Sequence, residues 1–303
     1  MGHLDEYNRR PSSDTTMRRE VPVTTQVAVT FGGFFPQFGA AFFTFGMIFW
    51  WFFGAQADVT SWYRFSGDLV HVQGTTVSCT DTGMSVGGSD NERGTPVYRT
   101  VYGYEIEGGA YHESECYGTG LSFSPGQAVP VEYVAGDPTT SRIEGSRKKP
   151  WSAWVLFVAV FPIVGLSLLV LGVRSNLTKL KIMKFGKATR GRLVSKEPTN
   201  TRINNRTVYK FTFEYEDESG NTHQVSDKTH ITGLLEDEET ERLFYNPNSP
   251  DEGLLVDVLP GKPRVDEHGN IGAATGAAAF ARVLLPLGGT AAHMAVGVLF
   301  YSS

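Results

Sequence analysis

The sequence predicts a membrane protein with α and β parts: three transmembrane helices and two repeated small antiparallel domains of the β-barrel or β-sandwich type. Two observations predict this fold. Charged residues are absent from long apolar blocks and crowded between them, and the two polar regions carry a similar pattern of aromatic residues, glycines and histidines. A chain of 303 residues has room for two or three such units.

Three apolar blocks are the candidate transmembrane helices. No Asp, Glu, Lys or Arg occurs in residues 21–57 or 151–173, and a third block runs from about Ile271 to the C-terminus, interrupted by Arg282 and His293. About 20 apolar residues cross the hydrocarbon layer as a helix. The predicted division is a polar tail (1–25), a first span (26–57), a first β-domain (58–149), a second span (150–173), a second β-domain (174–270) and a third span (271–303).

The first block is expected to be a retained anchor. Polar residues precede it and its apolar stretch is too long for a cleavable signal peptide. Its helix is predicted to start near Pro36, a residue tolerated in a first turn. Trp50 and Trp51 then fall near its far end, where indole rings prefer the membrane interface.

Basic residues near the end of a span mark its cytoplasmic side, and a basic cluster without acids follows the second span. This cluster places the N-terminus and residues 174–270 in the cytoplasm, and residues 58–149 and the C-terminus outside. Arg147, Lys148 and Lys149 oppose this orientation. The cluster could also contact anionic lipid head groups. Its members are Arg174, Lys179, Lys181, Lys184, Lys187, Arg190 and Arg192.

The chain has two cysteines, Cys79 and Cys116, and both fall in the region predicted to lie outside. An oxidising compartment would let them pair as a disulfide. The alternative is two unrelated buried thiols.

The two polar regions align with an offset of about 111 residues, which indicates an internal repeat. Alternating aromatic residues at 209–215 predict a half-buried strand, and glycines at 108–109 and 220 predict hairpins. Earlier strands are predicted near 74–79 and 188–194, and later ones end at Tyr133 and Tyr245, where proline-rich turns follow. The matched residues are Val97, Tyr98, Tyr102, Tyr104, Gly109 and His112 with Val208, Tyr209, Phe213, Tyr215, Gly220 and His223, and then Tyr133 and Pro138 with Tyr245 and Pro250.

The segments 188–194, 209–215 with Gly220, and 243–250 resemble the bacterial domain-of-unknown-function family three-five-nine-two. That resemblance implies a small β-domain bracketed by membrane helices, present here in two copies, and a bacterial cytoplasmic (inner) membrane location. The first copy departs from the family at residues 134–138 and by an insert around residues 83–94. The family implies no catalytic residue.

Patterns that could carry chemistry are weak. Residues 83–87 match the nucleophile-elbow pattern around Ser85, but they lie in a glycine-rich loop without a doubly wound sheet. His112 and Cys116 could suggest metal ligands, yet a helical zinc motif would need a second histidine. No phosphate-binding loop occurs, and a net charge of −5 argues against general affinity for nucleic acid. We therefore expect no enzyme, no metal site and no nucleic-acid partner.

His293 lies inside the third span, where an ionisable group needs a partner. It could ligate a haem iron or a pigment magnesium. Alternatively, it could hydrogen-bond a neighbouring helix or lie near the membrane interface, which we favour. No cofactor is therefore expected, although a pigment or haem at His293 stays open.

The third span is rich in small residues, which allow helices to approach closely in lipid. The predicted packing glycines are Gly272, Gly276, Gly288 and Gly289. They could serve a partner protein or only the other two spans of the same chain. With no chemistry in view, the sequence favours an accessory or assembly subunit of a larger membrane complex, for example photosynthetic, respiratory or secretory. The alternatives are a transmembrane sensor with an external ligand-binding domain, and an enzyme with an unrecognised site.

Overall fold

The computed structural model describes residues 18–89, 94–236, 239–266 and 268–302. It divides into two compact units, one made of Met1–Thr44 with Val164–Ser303 and the other of Phe45–Ile163. Three helices are long and apolar enough to cross a membrane, and we name them the first, second and third spans. They are Phe34–Gln56, Ala153–Phe185 and Gly276–Ser302.

The helices and strands follow in chain order. The first half of the chain forms α1 (Val23–Thr30), α2 (Phe34–Phe52), a 3-10 turn (Gly54–Gln56), β1 (Ala57–Asp58), α3 (Val59–Arg64), β2 (Leu69–Val86), β3 (Thr95–Glu105), β4 (Tyr111–Thr119), β5 (Ala128–Val134), β6 (Asp137–Ile143), β7 (Trp151–Ser152) and a 3-10 segment (Ala153–Ala159). The second half forms α4 (Val160–Phe185), β8 (Lys187–Ile203), β9 (Arg206–Glu216), β10 (Thr222–Thr229), a 3-10 turn (Thr232–Leu234), β11 (Thr240–Asn246), β12 (Ser249–Leu255), α5 (Gly276–Val283), a π-helical segment (Leu284–Gly289) and α6 (Thr290–Ser302).

The unit of residues 45–163 contains the first β-domain, a five-stranded antiparallel sheet in the order β4-β3-β2-β5-β6. The predicted hairpin joins β3 to β4, and β1 and β7 form a separate parallel pair. Inward side chains of the sheet build the core because successive residues of a strand point to opposite faces. These core residues are Tyr102, Tyr104, Cys116, Val129, Val131, Tyr133 and Ile143.

The other unit contains the second β-domain, a five-stranded antiparallel sheet in the order β10-β9-β8-β11-β12. The predicted alternation of residues 209–215 is confirmed, since Phe211, Phe213 and Tyr215 are buried. The edge strands β10 and β12 lie close together, so this sheet curls into a nearly barrel-shaped form.

The strand after each proline-rich turn was not predicted. Pro138 and Pro250 lie inside β6 and β12, where the sequence predicted only the turn that ends the domain. Both strands are at a sheet edge, and an edge strand tolerates proline because the missing N–H leaves no ladder bond broken.

A second core joins α1, the end of α4 and the second sheet within the same unit. Helix α4 continues to Phe185, about 18 Å beyond Val173 at 1.5 Å per residue. Arg19 donates to the carbonyls of Met183 (2.8 Å) and Gly186 (3.2 Å). Residues 18–30 are therefore packed against the end of α4 and the second sheet. The core residues are Val21, Val29, Leu180, Met183, Phe244, Leu254, Val256, Leu259 and Ile271.

Candidate functional site

The first two spans pack through glycines that the sequence analysis did not single out. A Cβ at Gly39 would overlap the backbone at Leu169, and a Cβ at Gly165 would overlap the backbone at Phe43. Gly172 likewise abuts Pro36. Without side chains at these positions, α2 and α4 approach closely and run antiparallel. The seven-residue spacing of Gly165 and Gly172 was the available sequence signal.

The third span uses only part of its predicted packing surface. Gly289 lies against the side chain of Thr44, whereas Gly276 faces open space and Gly288 contacts only Leu284 of its own helix. Gly272 precedes the helix and lies near Arg264. One of the four predicted glycines therefore packs against another span in this structure.

The rest of the third span is largely uncovered. In the apolar window of each of the first two spans 22% of the residues are buried, against 6% in the third. None of the 13 residues of α6, all in the described part of the chain, is buried. Exposed small residues lie on both sides of the π-helical segment of this span, and we name them the open face of the third span. They are Ala277, Ala281, Gly288 and Ala292.

His293 contacts the first span. Its Nε2 lies 3.0 Å from the carbonyl oxygen of Thr44, and its ring meets the ring of Phe43 edge-on with centroids 6.3 Å apart. This is the geometry of the hydrogen-bonded alternative that the sequence analysis favoured. The bond ties the third span to the first at the level of Gly289.

The predicted disulfide is wrong: both cysteines, which lie in the described part of the chain, are free thiols. Cys79 of β2 and Cys116 of β4 each pair with Thr100 of β3, the strand that lies between them. Two strand spacings separate them by about 10 Å, whereas a disulfide needs Cα atoms closer than about 7 Å. Burial raises the pKa of the Cys116 thiol. The cysteines therefore give no support to an oxidising compartment.

The residues weighed for catalysis or metal binding lie apart. Ser85 is an exposed residue of β2 opposite Pro96, in a strand rather than a strand-to-helix turn. His112 stacks on the ring of Tyr104 with centroids 5.8 Å apart, while Cys116 is buried in the core. Among residues 18–89, 94–236, 239–266 and 268–302, no three His, Cys, Asp or Glu side chains are grouped to hold a metal ion.

The second sheet holds an ionic cluster that sequence reasoning missed. His223 places Nε2 3.0 Å from Asp217 and Nδ1 3.2 Å from Asp251. The hydrogen bond to Asp217 raises the pKa of His223, and backbone donation by Asn221 lowers the pKa of Asp217 to about 2. The ring of Tyr215 lies beside the imidazole, with centroids 5.8 Å apart. A histidine and two carboxylates so arranged form a charged clamp across the β9–β10 hairpin and β12.

The predicted interface residues occupy the ends of the first two spans. Trp50 and Trp51 lie in the last turn of α2, and both are half-buried. The basic residues fall on the last turns of α4, where Lys184 donates to Gln26 (2.7 Å). They are Arg174, Lys179, Lys181 and Lys184.

No protein-family model, no curated protein and no solved structure matches this chain.

Proposed function

We propose that this chain is a non-catalytic integral membrane subunit that binds and stabilises a larger membrane protein complex through its third span. The observation that carries the proposal is the open face of that span. Small residues on a membrane helix favour close contact with another helix, because dispersion and backbone contacts replace those with lipid. The glycines of α2 and α4 already contact each other, while the open face has no helix against it in the described structure.

Copurification after mild detergent extraction tests this proposal. We expect a defined set of membrane proteins to travel with the tagged chain. Ala281→Phe should reduce their recovery by about tenfold or more, since overpacking a close helix contact costs roughly 1–3 kcal/mol. Leu299→Phe, at an exposed position on α6, is the matched control and should leave recovery unchanged. A lone monomer, or equal recovery with both variants, contradicts the proposal.

We also propose the orientation that the basic residues indicate, in a bacterial cytoplasmic membrane, with residues 174–270 inside and residues 58–149 outside. Arg147 and Lys148 are basic residues on the side proposed to lie outside. Both have hydrogen-bond partners in the first β-domain. Arg147 donates to Thr119 (2.7 Å), and Lys148 donates to Ser114 (2.9 Å).

Labelling of intact cells with a membrane-impermeant maleimide tests the orientation. In a chain whose native cysteines are replaced by serine, Ser89→Cys should react and Ser219→Cys should not, and both positions are exposed in their domains. Labelling of both variants, or of Ser219→Cys alone, would refute the proposed orientation.

We further propose that the two β-domains are copies of one unit of the kind in family three-five-nine-two. Their strand orders correspond, and the same β-bulge occurs in each, opposite Val101 and Tyr102 in one sheet and Thr212 and Phe213 in the other. A bulge is a specific feature of a sheet, so two matched ones support a common origin.

A further inference from the structure

A cavity of about 240 Å³ lies beside the ends of the first two spans, within the unit of residues 45–163. Arg142 and Arg147 line it together with Ser61 and Ser152, and Trp62 and Trp154 stand at its sides. It lies between α3, which follows the first span, and the 3-10 segment that opens the second.

Tryptophan positions place this cavity at the membrane surface. All five tryptophans of the chain fall in residues 50–62 and 151–154. Trp62 is 75% exposed and Trp154 is 87% exposed, although both are large apolar side chains. Exposed indole rings concentrated at the ends of spans are typical of the lipid–water interface, where lipid phosphates also lie.

The two arginines are held in place by the protein. Arg147 donates from Nη2 to Thr119 (2.7 Å) and to the carbonyl of Pro150 (3.0 Å). Arg142 donates from Nε to Glu132 (2.6 Å), and its guanidinium lies 4.2 Å from the centroid of the Phe65 ring. Guanidinium groups fixed in this way lose little entropy when they bind an oxyanion.

One donor in this wall lacks an acceptor. The Nε of Arg147 is buried and has no hydrogen-bond partner among the residues that the structure describes. Leaving a buried charged donor unpaired is costly.

Acidic and basic groups lie close together around the cavity. Asp58 also lines the cavity, but its carboxylate accepts from the backbone N–H groups of Ser61 (2.8 Å) and Lys148 (2.7 Å). Lys148 and Lys149 add two further charges, and Lys149 donates to the carbonyl of Ala55 (3.2 Å) at the end of the first span. Arg142 and Arg147 are the basic side chains that line the cavity, Asp58 is its acidic side chain, and Glu132 pairs with Arg142.

We propose that this cavity binds the phosphate group of a membrane phospholipid, with Arg142 and Arg147 on the phosphate oxygens and the hydroxyls of Ser61 and Ser152 as further donors. Trp62 and Trp154 contact the glycerol and the upper acyl chains. A phosphodiester at the membrane surface offers anionic oxygens that accept hydrogen bonds from guanidinium groups. The inference rests on the proposed membrane location and is independent of any partner bound by the third span.

Lipid titration followed by native mass spectrometry tests the proposal on the full chain in mild detergent. We expect phosphatidylglycerol to bind the unaltered chain, and Arg147→Gln to weaken binding by about tenfold or more through loss of charge-assisted bonds. Arg99→Gln removes the same charge from an exposed pair with Glu115 in the same domain, and it should leave binding unchanged.

A second variant guards against a folding defect in the first. Ala153→Asp adds a carboxylate to the cavity wall and leaves both arginines intact. An acidic residue in a first helical turn is tolerated, so this variant should fold and still weaken lipid binding by about tenfold. Equal binding by the unaltered chain and Ala153→Asp would overturn the proposal. Binding of inorganic phosphate without binding of phosphatidylglycerol would overturn the lipid assignment, and neither result depends on copurification of a partner.

Discussion

Tyr104 in the first β-domain and Tyr215 in the second make the same hydrogen bond. Each phenol donates to a proline carbonyl in the last strand of its sheet, Pro138 for Tyr104 and Pro250 for Tyr215. Burial raises the pKa of both phenols, to about 12 for Tyr215, so they stay protonated donors at neutral pH. At the scale of single residues, this bond links the second strand of each sheet, β3 or β9, to the edge strand on the far side, β6 or β12.

Removing either hydroxyl should cost a similar free energy. Tyr104→Phe and Tyr215→Phe should each lower the free energy of unfolding by about 1 kcal/mol, the usual net worth of one hydrogen bond. Tyr111→Phe, at an exposed position, should cost nothing. Denaturant unfolding in detergent provides the measurement. A cost at only one of the two tyrosines would argue against equivalent roles.

The stability that the His223 clamp contributes should fall both when the pH rises and when the pH falls. A raised His223 pKa contributes stability that is complete below the unfolded value of 6.5 and is lost as pH rises through the folded value. The lowered Asp217 pKa contributes stability that is present above about 4 and is lost as pH falls toward about 2. NMR titration should give His223 a pKa above 6.5, and Asp217→Asn should lower it. No change in that variant would contradict the clamp.

The two thiols offer a direct chemical check. Denatured, unreduced protein should react with two equivalents of maleimide, because Cys79 and Cys116 are free and two strands apart. If mass spectrometry detected maleimide on the cysteines only after a reductant was added, the result would contradict this sheet register.

At the scale of elements, the spans and hairpins were predictable from the hydrophobic periodicity and the distribution of charge in the sequence. It located the three spans, and it placed Pro36 in the first turn of a helix that begins at Phe34. The alternating aromatics of β9 and the glycine turns gave both hairpins. These features were predictable because they depend on residues close together in the chain.

Features that depend on long-range pairing were not predictable. β6 and β12 are short edge strands opened by prolines, and nothing local distinguishes them from loops. The disulfide failed because the strand order, which separates Cys79 from Cys116, cannot be read from spacing. Arg142 and Arg147 meet Ser61, which lies about 80 residues earlier in the chain, at one cavity only after the domain has folded.

Close packing of α2 on α4 gives a prediction at the same scale. Gly165→Leu should lower the stability of the chain by about 1–3 kcal/mol, since the new side chain would meet the backbone at Phe43. Val170→Leu enlarges an exposed residue on the same helix and should be neutral. Thermal unfolding in detergent distinguishes these results. Equal stability would show that the two helices do not approach this closely.

At the scale of the whole molecule, each β-domain has its own core, and the three spans differ in how much surface they bury. The first two spans use their small residues on each other, while the third keeps most of its small residues exposed. This asymmetry is the physical basis for proposing a subunit that contributes one helix face to an assembly.

Site-specific photo-crosslinking from the open face is the most direct test of that claim. A photoreactive residue at Ala281 should form an adduct with one defined membrane protein in native membranes, and the same residue at Leu299 should not. Crosslinks from Ala281 only to lipid, or to many unrelated proteins, would contradict the account.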